Sequence, residues 1–424
     1  MMKNNYNIFK QASWSIVSRI STALFSFISI SILLKILGVG QFGIWITISG
    51  LFAAFSFVDL GLANGLRNKL PKFENDTIKS KNLIVQTFIL TIVIAIIAAI
   101  IFQALGGSAI LIGFLKLEGN IVNLEEIINI LFYLFIINLC VKPAHAVLQA
   151  EHKSHIVSLL LLALQALSTL GYGILYILEV DNSLYNVVLV YAITSVVIHS
   201  YICIYVIRTK IKNLMDISIP LYSVVDLLKS GLLFFVTALS YLSIFQIINI
   251  LVIRNLGSDA AGEFGVYSKL FFAVNQIAVA GFVPIWSAFA SANEKNDILW
   301  KKKVFFNIEK TILIVPVVLF IVFAGGQFIF EIWLGEDGFS YSHYLGALFS
   351  LLSMMIVTNT GYSYVLNGLN KLKIQLTLNI IFISIIFLMN HLDFFTTFDS
   401  ILIVLICGFA IVNIFFRKKI KINL

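Results

Sequence analysis

The feature that most constrains this chain is its division into long apolar runs. Twelve lie near residues 12–37, 44–66, 82–105, 125–148, 155–178, 184–207, 227–253, 263–290, 304–330, 341–367, 372–390 and 398–416. About 20 apolar residues in a helix cross about 30 Å of hydrocarbon. Membrane strands of about ten residues cannot account for runs of this length. Lipid offers no partners to backbone polar groups, so each run is expected to be a helix. The composition agrees: 60% hydrophobic and 12% charged, where soluble domains average about 45–50% and about 25%. The expected class is all-α integral membrane, with twelve transmembrane helices. The first run is too long for the apolar part of a cleaved signal and reads as a retained span.

The cations alternate with the runs. The N-terminal end carries Lys3 and Lys10. The second connection holds Arg67, Lys69, Lys72, Lys79 and Lys81, and the fourth Lys153. The sixth holds Arg208, Lys210, Lys212 and Lys229, and the eighth Lys295, Lys301, Lys302 and Lys303. Lys371 and Lys373 follow in the tenth, and Arg417, Lys418, Lys419 and Lys421 in the tail. The odd connections hold only Lys116 and Arg254, and carry acids such as Glu179, Asp181, Glu331, Glu336 and Asp337. By the positive-inside rule both termini are expected on the cytoplasmic side. The net charge of +8 therefore reports topology and gives no reason to expect nucleic-acid binding. Cys140, Cys203 and Cys407 all lie in apolar runs without metal-ligand neighbours, so neither a disulfide nor a metal site is expected.

The chain is also written twice. Residues 34–46, LKILGVGQFGIWI, return as 253–267, IRNLGSDAAGEFGVY. Lys35 meets Arg254, Gly38 meets Gly257, and Phe42-Gly43-Ile44-Trp45 meets Phe264-Gly265-Val266-Tyr267. Residues 147–156, VLQAEHKSHI, return as 365–374, VLNGLNKLKI, with Val147, Leu148, Lys153 and Ile156 matching Val365, Leu366, Lys371 and Ile374. Six spans is an even number, so the halves enter from the same side as parallel repeats, an arrangement found in alternating-access transporters. The expected organisation is an N-terminal six-helix half over 1–212, a cytoplasmic linker over 213–226 and a C-terminal six-helix half over 227–424.

The motifs, taken in order, resemble Wzx-type polysaccharide flippases of the MOP superfamily, which also holds the MATE exporters. They are LG-x-x-x-FG-[IV]-[WY] after the first span, D-L-G-L at 59–62 followed by Arg67, V-P-I-W-S-A at 283–288 and L-N-G-L-N-K at 366–371. The resemblance covers essentially the whole chain. It implies a V-shaped pair of six-helix bundles in the bacterial inner membrane. It implies a substrate of undecaprenyl-diphosphate-linked oligosaccharide, moved to the periplasmic leaflet for O-antigen or capsule synthesis, with a polymerase and a chain-length regulator as partners. Membrane lipids are the surrounding contact. A MATE-like exporter of cationic drugs is the alternative, and a membrane polysaccharide polymerase a more distant one.

A diphosphate in hydrocarbon needs cations, and sugars need polar or aromatic partners. Arg19 lies about seven residues into the first span, with Ser15, Ser18, Thr22, Ser26 and Ser29 near its face, which suggests a watered lumen over snorkelling to the interface. Lys142, beside Pro143 and His145, and Lys269 are further candidates, each with a snorkelling alternative. Lys35 and Arg254 occupy matching ends of the first and seventh spans, placed to meet a departing diphosphate or lipid phosphates. Asp59 is expected either in an ion pair, with Arg19 as partner, or as a carboxylate coupling transport to a proton or sodium gradient. His199 reads as an internally hydrogen-bonded histidine before a proton relay. Gln246, Asn249, Asn275 and Gln276 read as glue between helices, and Pro284 and Pro316 as hinges. No nucleotide-binding loop or catalytic constellation stands in the sequence, so neither an enzyme nor a cofactor is expected.

Overall fold

The structure, a computed structural model, describes all residues except 1, 56–58, 74–75, 118–122, 152, 181–182, 212–246, 295–296, 336–339, 370 and 424. The side chains of 2–16, 19, 54, 68, 72, 154, 183, 279–281, 283–288, 290–291 and 293–294 also lie outside the described set. The linker over 213–226, Gln246 and the side chains of V-P-I-W-S-A therefore lie outside it.

The described chain is helical throughout, with no strand among the described residues. In order come α1 (Met2–Phe55), α2 (Leu62–Lys69), α3 (Thr77–Ala104), α4 (Gly107–Leu115), α5 (Leu124–Ala150), α6 (Ser154–Ile177) and α7 (Ser183–Lys210). Then follow α8 (Ile247–Leu256), α9 (Ser258–Glu294), α10 (Ile298–Ala324), α11 (Gly326–Leu334), α12 (His343–Gly368), α13 (Leu372–His391) and α14 (Phe398–Asn423). Nine helices among the described residues are long and apolar enough to cross a membrane. One of the nine, α1, breaks at Gly38 (φ 67°, ψ 172°) into two arms, which correspond to the first run and the start of the second. Helix α9 spans 37 residues, and α8 closes the seventh run, so the twelve expected runs are consistent with the helices seen. Helices α5 and α10 continue through Pro143 and Pro316 without interruption.

The chain divides into two compact units, Met1–Gly38 with Thr47–Leu239, and Val39–Ile46 with Ser240–Leu424. Each has one central helix. In the first unit α5 packs against α2, α3, α4, α6 and α7; in the second α12 packs against α9, α10, α11, α13 and α14. These two helices are buried along most of their length, whereas α10 and α13 leave Leu313, Val317, Ile380 and Phe387 exposed, as a lipid-facing surface requires.

The repeat extends to individual hydrogen bonds. After α5, the amides of Glu151, Lys153 and Ile156 donate to the carbonyls of Val147, Leu148 and Lys153. After α12, the amides of Leu369, Lys371 and Ile374 donate to those of Val365, Leu366 and Lys371. The anchors Val147, Leu148, Val365 and Leu366 are buried to 1% exposure or less. The echoed V-L, Lys and Ile are thus the inner anchors and turn positions of one repeated helix corner. Asp76 and Asp297 cap α3 and α10, each accepting from the amide three residues on. This is the usual side-chain answer to orphan amides at a helix start. Two nine-residue helices, α4 and α11, start at Gly107 and Gly326 and end at Leu115 and Leu334, again matched in register.

Gly38 and Gly257 both take positive φ, 67° and 92°, which only glycine adopts without strain. Beyond Gly38, the stretch Val39–Ile46 crosses the start of α9 within the second unit. A Cβ on Gly43 would stand 2.0 Å from the Ser258 carbonyl oxygen, and one on Gly262 would stand 2.2 Å from that of Val39. The glycines at 43 and 262 are therefore needed for backbone contact, while Gly38 and Gly257 serve the breaks.

Candidate functional site

The second apolar run does not remain one helix. After Phe55 the described chain resumes at Asp59, and α2 begins at Leu62. Leu60 (φ 52°) and Gly61 (φ 74°) both adopt left-handed backbone, a strained conformation for leucine. Asp59, at 1% exposure, holds the break. Its Oδ1 accepts from the Gly61 amide at 3.3 Å and its Oδ2 from the Ala63 amide at 3.1 Å. A carboxylate at a helix N-terminus satisfies orphan amides and complements the helix dipole.

The same carboxylate meets a cation. Lys142 Nζ on α5 stands 3.1 Å from Asp59 Oδ1. The Lys142 side chain is 26% exposed and that of Asp59 2%, so the pair sits mostly within protein, where a lone charge would be costly. Asp59 thus pairs with Lys142; the expected pairing with Arg19 involves a side chain outside the described residues. In one dimension Asp59 and Lys142 are 83 residues apart, and no spacing rule connects them. The contact of α2 with α5 is what brings them together.

One turn along α5 from Lys142 is His145. Its ring stacks on that of His199 from α7, centroids 5.4 Å apart and planes 18° apart. His199 Nδ1 stands 2.7 Å from the Ser195 carbonyl oxygen. A carbonyl only accepts, so Nδ1 carries the hydrogen. Ser195 Oγ lies 3.2 Å from the same nitrogen and donates to Asn138 Oδ1 at 3.5 Å. The expected internal hydrogen bond of His199 is present, but the histidine is not alone. A line of ionisable and polar groups runs from Asp59 through Lys142, His145 and His199 to Ser195 and Asn138, all in the first unit.

The serine stripe of the first span serves packing. Ser29 Oγ lies 2.6 Å from Thr169 Oγ1 on α6 and accepts from Gln165 Nε2 at 2.8 Å. Ser18 is 1% exposed, and Thr22 donates to its carbonyl at 2.7 Å. Arg19 belongs to this stretch of α1, but its side chain lies outside the described residues.

The second unit holds neutral amides where the first holds charges. Asn359 Nδ2 donates to Asn413 Oδ1 at 3.0 Å, and Asn413 Nδ2 to the Met355 carbonyl at 2.9 Å. Thr360 donates to Asn275 Oδ1 at 3.3 Å, which makes Asn275 a link between helices. Gln276 is exposed and Asn249 half-buried. Carried across the repeated corner, Lys142 corresponds to Thr360, six residues before Leu148 and Leu366 respectively.

The structure also describes the side chains of Lys35, Arg254 and Lys269. Lys35 is exposed, with its ammonium 5.9 Å from the Tyr176 ring centroid, an arrangement suited to a membrane interface. Arg254, at the end of α8, and Lys269, in α9, are half-buried in the second unit. At the corner after α5, Glu151 bonds Lys153 at 2.9 Å and also pairs with Lys210 at the end of α7. Burial pushes the Glu151 carboxyl up, but the two lysines outweigh it and leave the carboxyl below its ordinary range.

No known family profile matches the chain. A curated protein of Yersinia pseudotuberculosis, named "Putative O-antigen export protein", is 25% identical over 379 residues, covering 84% of this chain and 82% of that one. Among solved structures, an inward-facing multidrug-resistance MATE transporter of the MOP superfamily superposes with a TM-score of 0.73, covering 96% of this chain and 98% of its own at 14% identity. A mutant MATE transporter of Vibrio cholerae gives 0.67 at 13% identity, covering 98% and 96%. A MOP superfamily transporter of Pyrococcus furiosus, described by the reversed polarity of its binding pocket, gives 0.65 at 15% identity, covering 98% and 95%. The chain is a multi-pass membrane protein with the fold seen in MATE transporters.

Proposed function

We propose that this chain moves undecaprenyl-diphosphate-linked oligosaccharide from the cytoplasmic to the periplasmic leaflet of the bacterial inner membrane. The product feeds O-antigen or capsule assembly, and the cycle is one of alternating access. The observation that carries the reading is the similarity, over 84% of the chain, to the protein named "Putative O-antigen export protein", on a fold shared with MOP transporters. The cation bias of the even connections supports cytoplasmic termini. A polymerase and a chain-length regulator are the expected neighbours in such a pathway.

Arg19 is assigned to the diphosphate, because its helix enters the membrane among small polar residues and guanidinium matches phosphate geometry. Lys269 and Arg254 are the matching candidates in the second unit, and Lys35 the one nearest a lipid interface. Lys142 is engaged with Asp59, so its assignment is to hold the break before α2. The same pairing disfavours a drug-cation exporter, which wants an uncompensated buried acid.

The test is complementation. Cells lacking their own flippase should regain surface polysaccharide with this chain, and Arg19→Ala should abolish the rescue while protein levels stay normal. Deletion in the native host should strand lipid-linked repeat units on the cytoplasmic leaflet. Normal polysaccharide with Arg19→Ala would sink the Arg19 assignment. Stranding on the periplasmic leaflet would replace the flippase reading with the polymerase one.

A further inference from the structure

We propose that the stacked His145–His199 pair is a proton-binding site, and that loading it loosens the ion pair that holds the α1–α2 break. The inference rests on the transporter reading only for its use, not for its existence.

Three observations point to a ligand. The Nε2 of His145 is buried and has no hydrogen-bond partner, an uncommon condition for a native polar atom. The neighbouring His199 has its hydrogen fixed on Nδ1 by the Ser195 carbonyl, so its Nε2 is the basic nitrogen. The two rings face each other at 5.4 Å, so a proton held by one is felt by the other. Repulsion between imidazolium rings at this distance, away from bulk water, keeps the pair to one proton.

The charges around the pair decide what that proton does. On α5, Lys142 lies three residues from His145, on the same helical face. At the break, Asp59 balances Lys142. The interior groups Cys140 on α5, Cys203 and Tyr191 on α7 and Tyr172 on α6 are neutral. Helix α3 carries charge only at its start, at Lys79 and Lys81, while α2 carries Arg67 and Lys69, and α7 ends in Arg208 and Lys210. His155 stands at the start of α6. A proton on the pair therefore adds a second cation beside one carboxylate. Imidazolium and ammonium compete for Asp59, and Asp59 also carries the Gly61 and Ala63 amides. Protonation is thus felt at the N-terminus of α2, directly after the left-handed break at Leu60 and Gly61. His145 is five residues from the end of α5, about 7.5 Å along the helix, so a short path to water suffices. Among the described residues, the second repeat has Thr360 at the position of Lys142 and neutral amides around it, so no copy of this device stands there.

The experiment uses the full chain in lipid nanodiscs with nitrogen-labelled histidine, titrated from about pH 8 to about pH 4. The expected result is a single proton uptake shared by two ring signals, lost in both His145→Gln and His199→Gln and shifted by Asp59→Asn. His155→Gln leaves it in place. Hydrogen exchange read in parallel, corrected for the intrinsic pH dependence, should rise severalfold at residues 61–66 as the pair loads. That rise should be absent in His145→Gln. A pair that stays neutral over the range, bridged by a buried water, overturns the site. Uptake without any change at residues 61–66 overturns the link to the break. A wild-type titration in a chain that fails to restore polysaccharide would sink the flippase reading and leave the site standing.

Discussion

A Cβ placed on Gly43 would lie 2.5 Å from the backbone nitrogen of Gly262. The two glycines therefore let one helix backbone rest on another. Neither clash falls on a flexible side-chain tip, since the nearest atoms are carbonyl oxygens of Ser258 and Val39. Gly43→Ala and Gly262→Ala should each lower stability by about 1–3 kcal/mol, the range for overpacking a tight contact. Gly173→Ala, where nothing lies within 4 Å and φ is ordinary, should be neutral or mildly stabilising. Thermal unfolding in one detergent checks all three. Equal midpoints for Gly43→Ala and Gly173→Ala would remove the case for a backbone crossing.

The repeat was legible because each echo marks a turn, and a turn restricts residue type most tightly. Gly38 and Gly257 need positive φ, and Val147, Leu148, Val365 and Leu366 anchor a corner. The helices α4 and α11 were not legible. Nine apolar residues are too few to span lipid, so 106–124 reads as a plain loop. The glycine doublets at 106–107 and 325–326, in register with the other echoes, were the available signal. The site was legible in its members but not in its pairings. Asp59, Lys142, His145 and His199 all stand out as polar residues in apolar runs. Which of them touch depends on helix packing, and spacing along the chain carries no information about that. The interruption of the second run at Asp59 was hidden for a related reason: hydropathy averages over a break that keeps its apolar flanks.

The repeated corner predicts matched costs. Leu148 and Leu366 occupy the same place after α5 and α12, at 1% and 0% exposure. Leu148→Ala and Leu366→Ala should each cost about 2–5 kcal/mol, the range for a buried leucine truncated to a cavity. The measurement is denaturant or thermal unfolding of both variants under one condition. A large cost at one corner and none at the other would mean that the echo is sequence coincidence, not a common fold unit.

Acid should weaken the bond between α5 and α7. The Glu151 carboxyl is held below the ordinary glutamate value by Lys210 and Lys153, despite burial acting the other way. A depressed carboxylate contributes stability that is present above its unfolded value and lost as pH falls through the folded one. The loss therefore begins near 4.5 and is complete only below the lowered folded value. Glu151→Gln should flatten this acid limb and change little at neutral pH beyond the loss of a partly exposed pair. Stability followed against pH in wild type and variant is the check, and identical acid limbs would show that the three side chains do not act together.

The Asp59–Lys142 pair has two jobs, and substitutions separate them. Lys142→Met removes the cation and leaves Asp59 facing two amides with no counter-ion. The cost should fall below the about 3–5 kcal/mol of a fully buried pair, because Lys142 is 26% exposed. Asp59→Asn keeps an oxygen for the Gly61 or Ala63 amide but strands the ammonium, so it too should destabilise. Combining Asp59→Asn with Lys142→Met removes both charges, and the double variant should lose less than the sum of the two single losses. Asp59→Lys with Lys142→Asp restores opposite charges yet places no acceptor at the start of α2, so it should recover only part. A double-mutant cycle read by unfolding gives the coupling directly. Strict additivity would mean that the 3.1 Å contact carries no energy and that Asp59 acts only as the cap of α2.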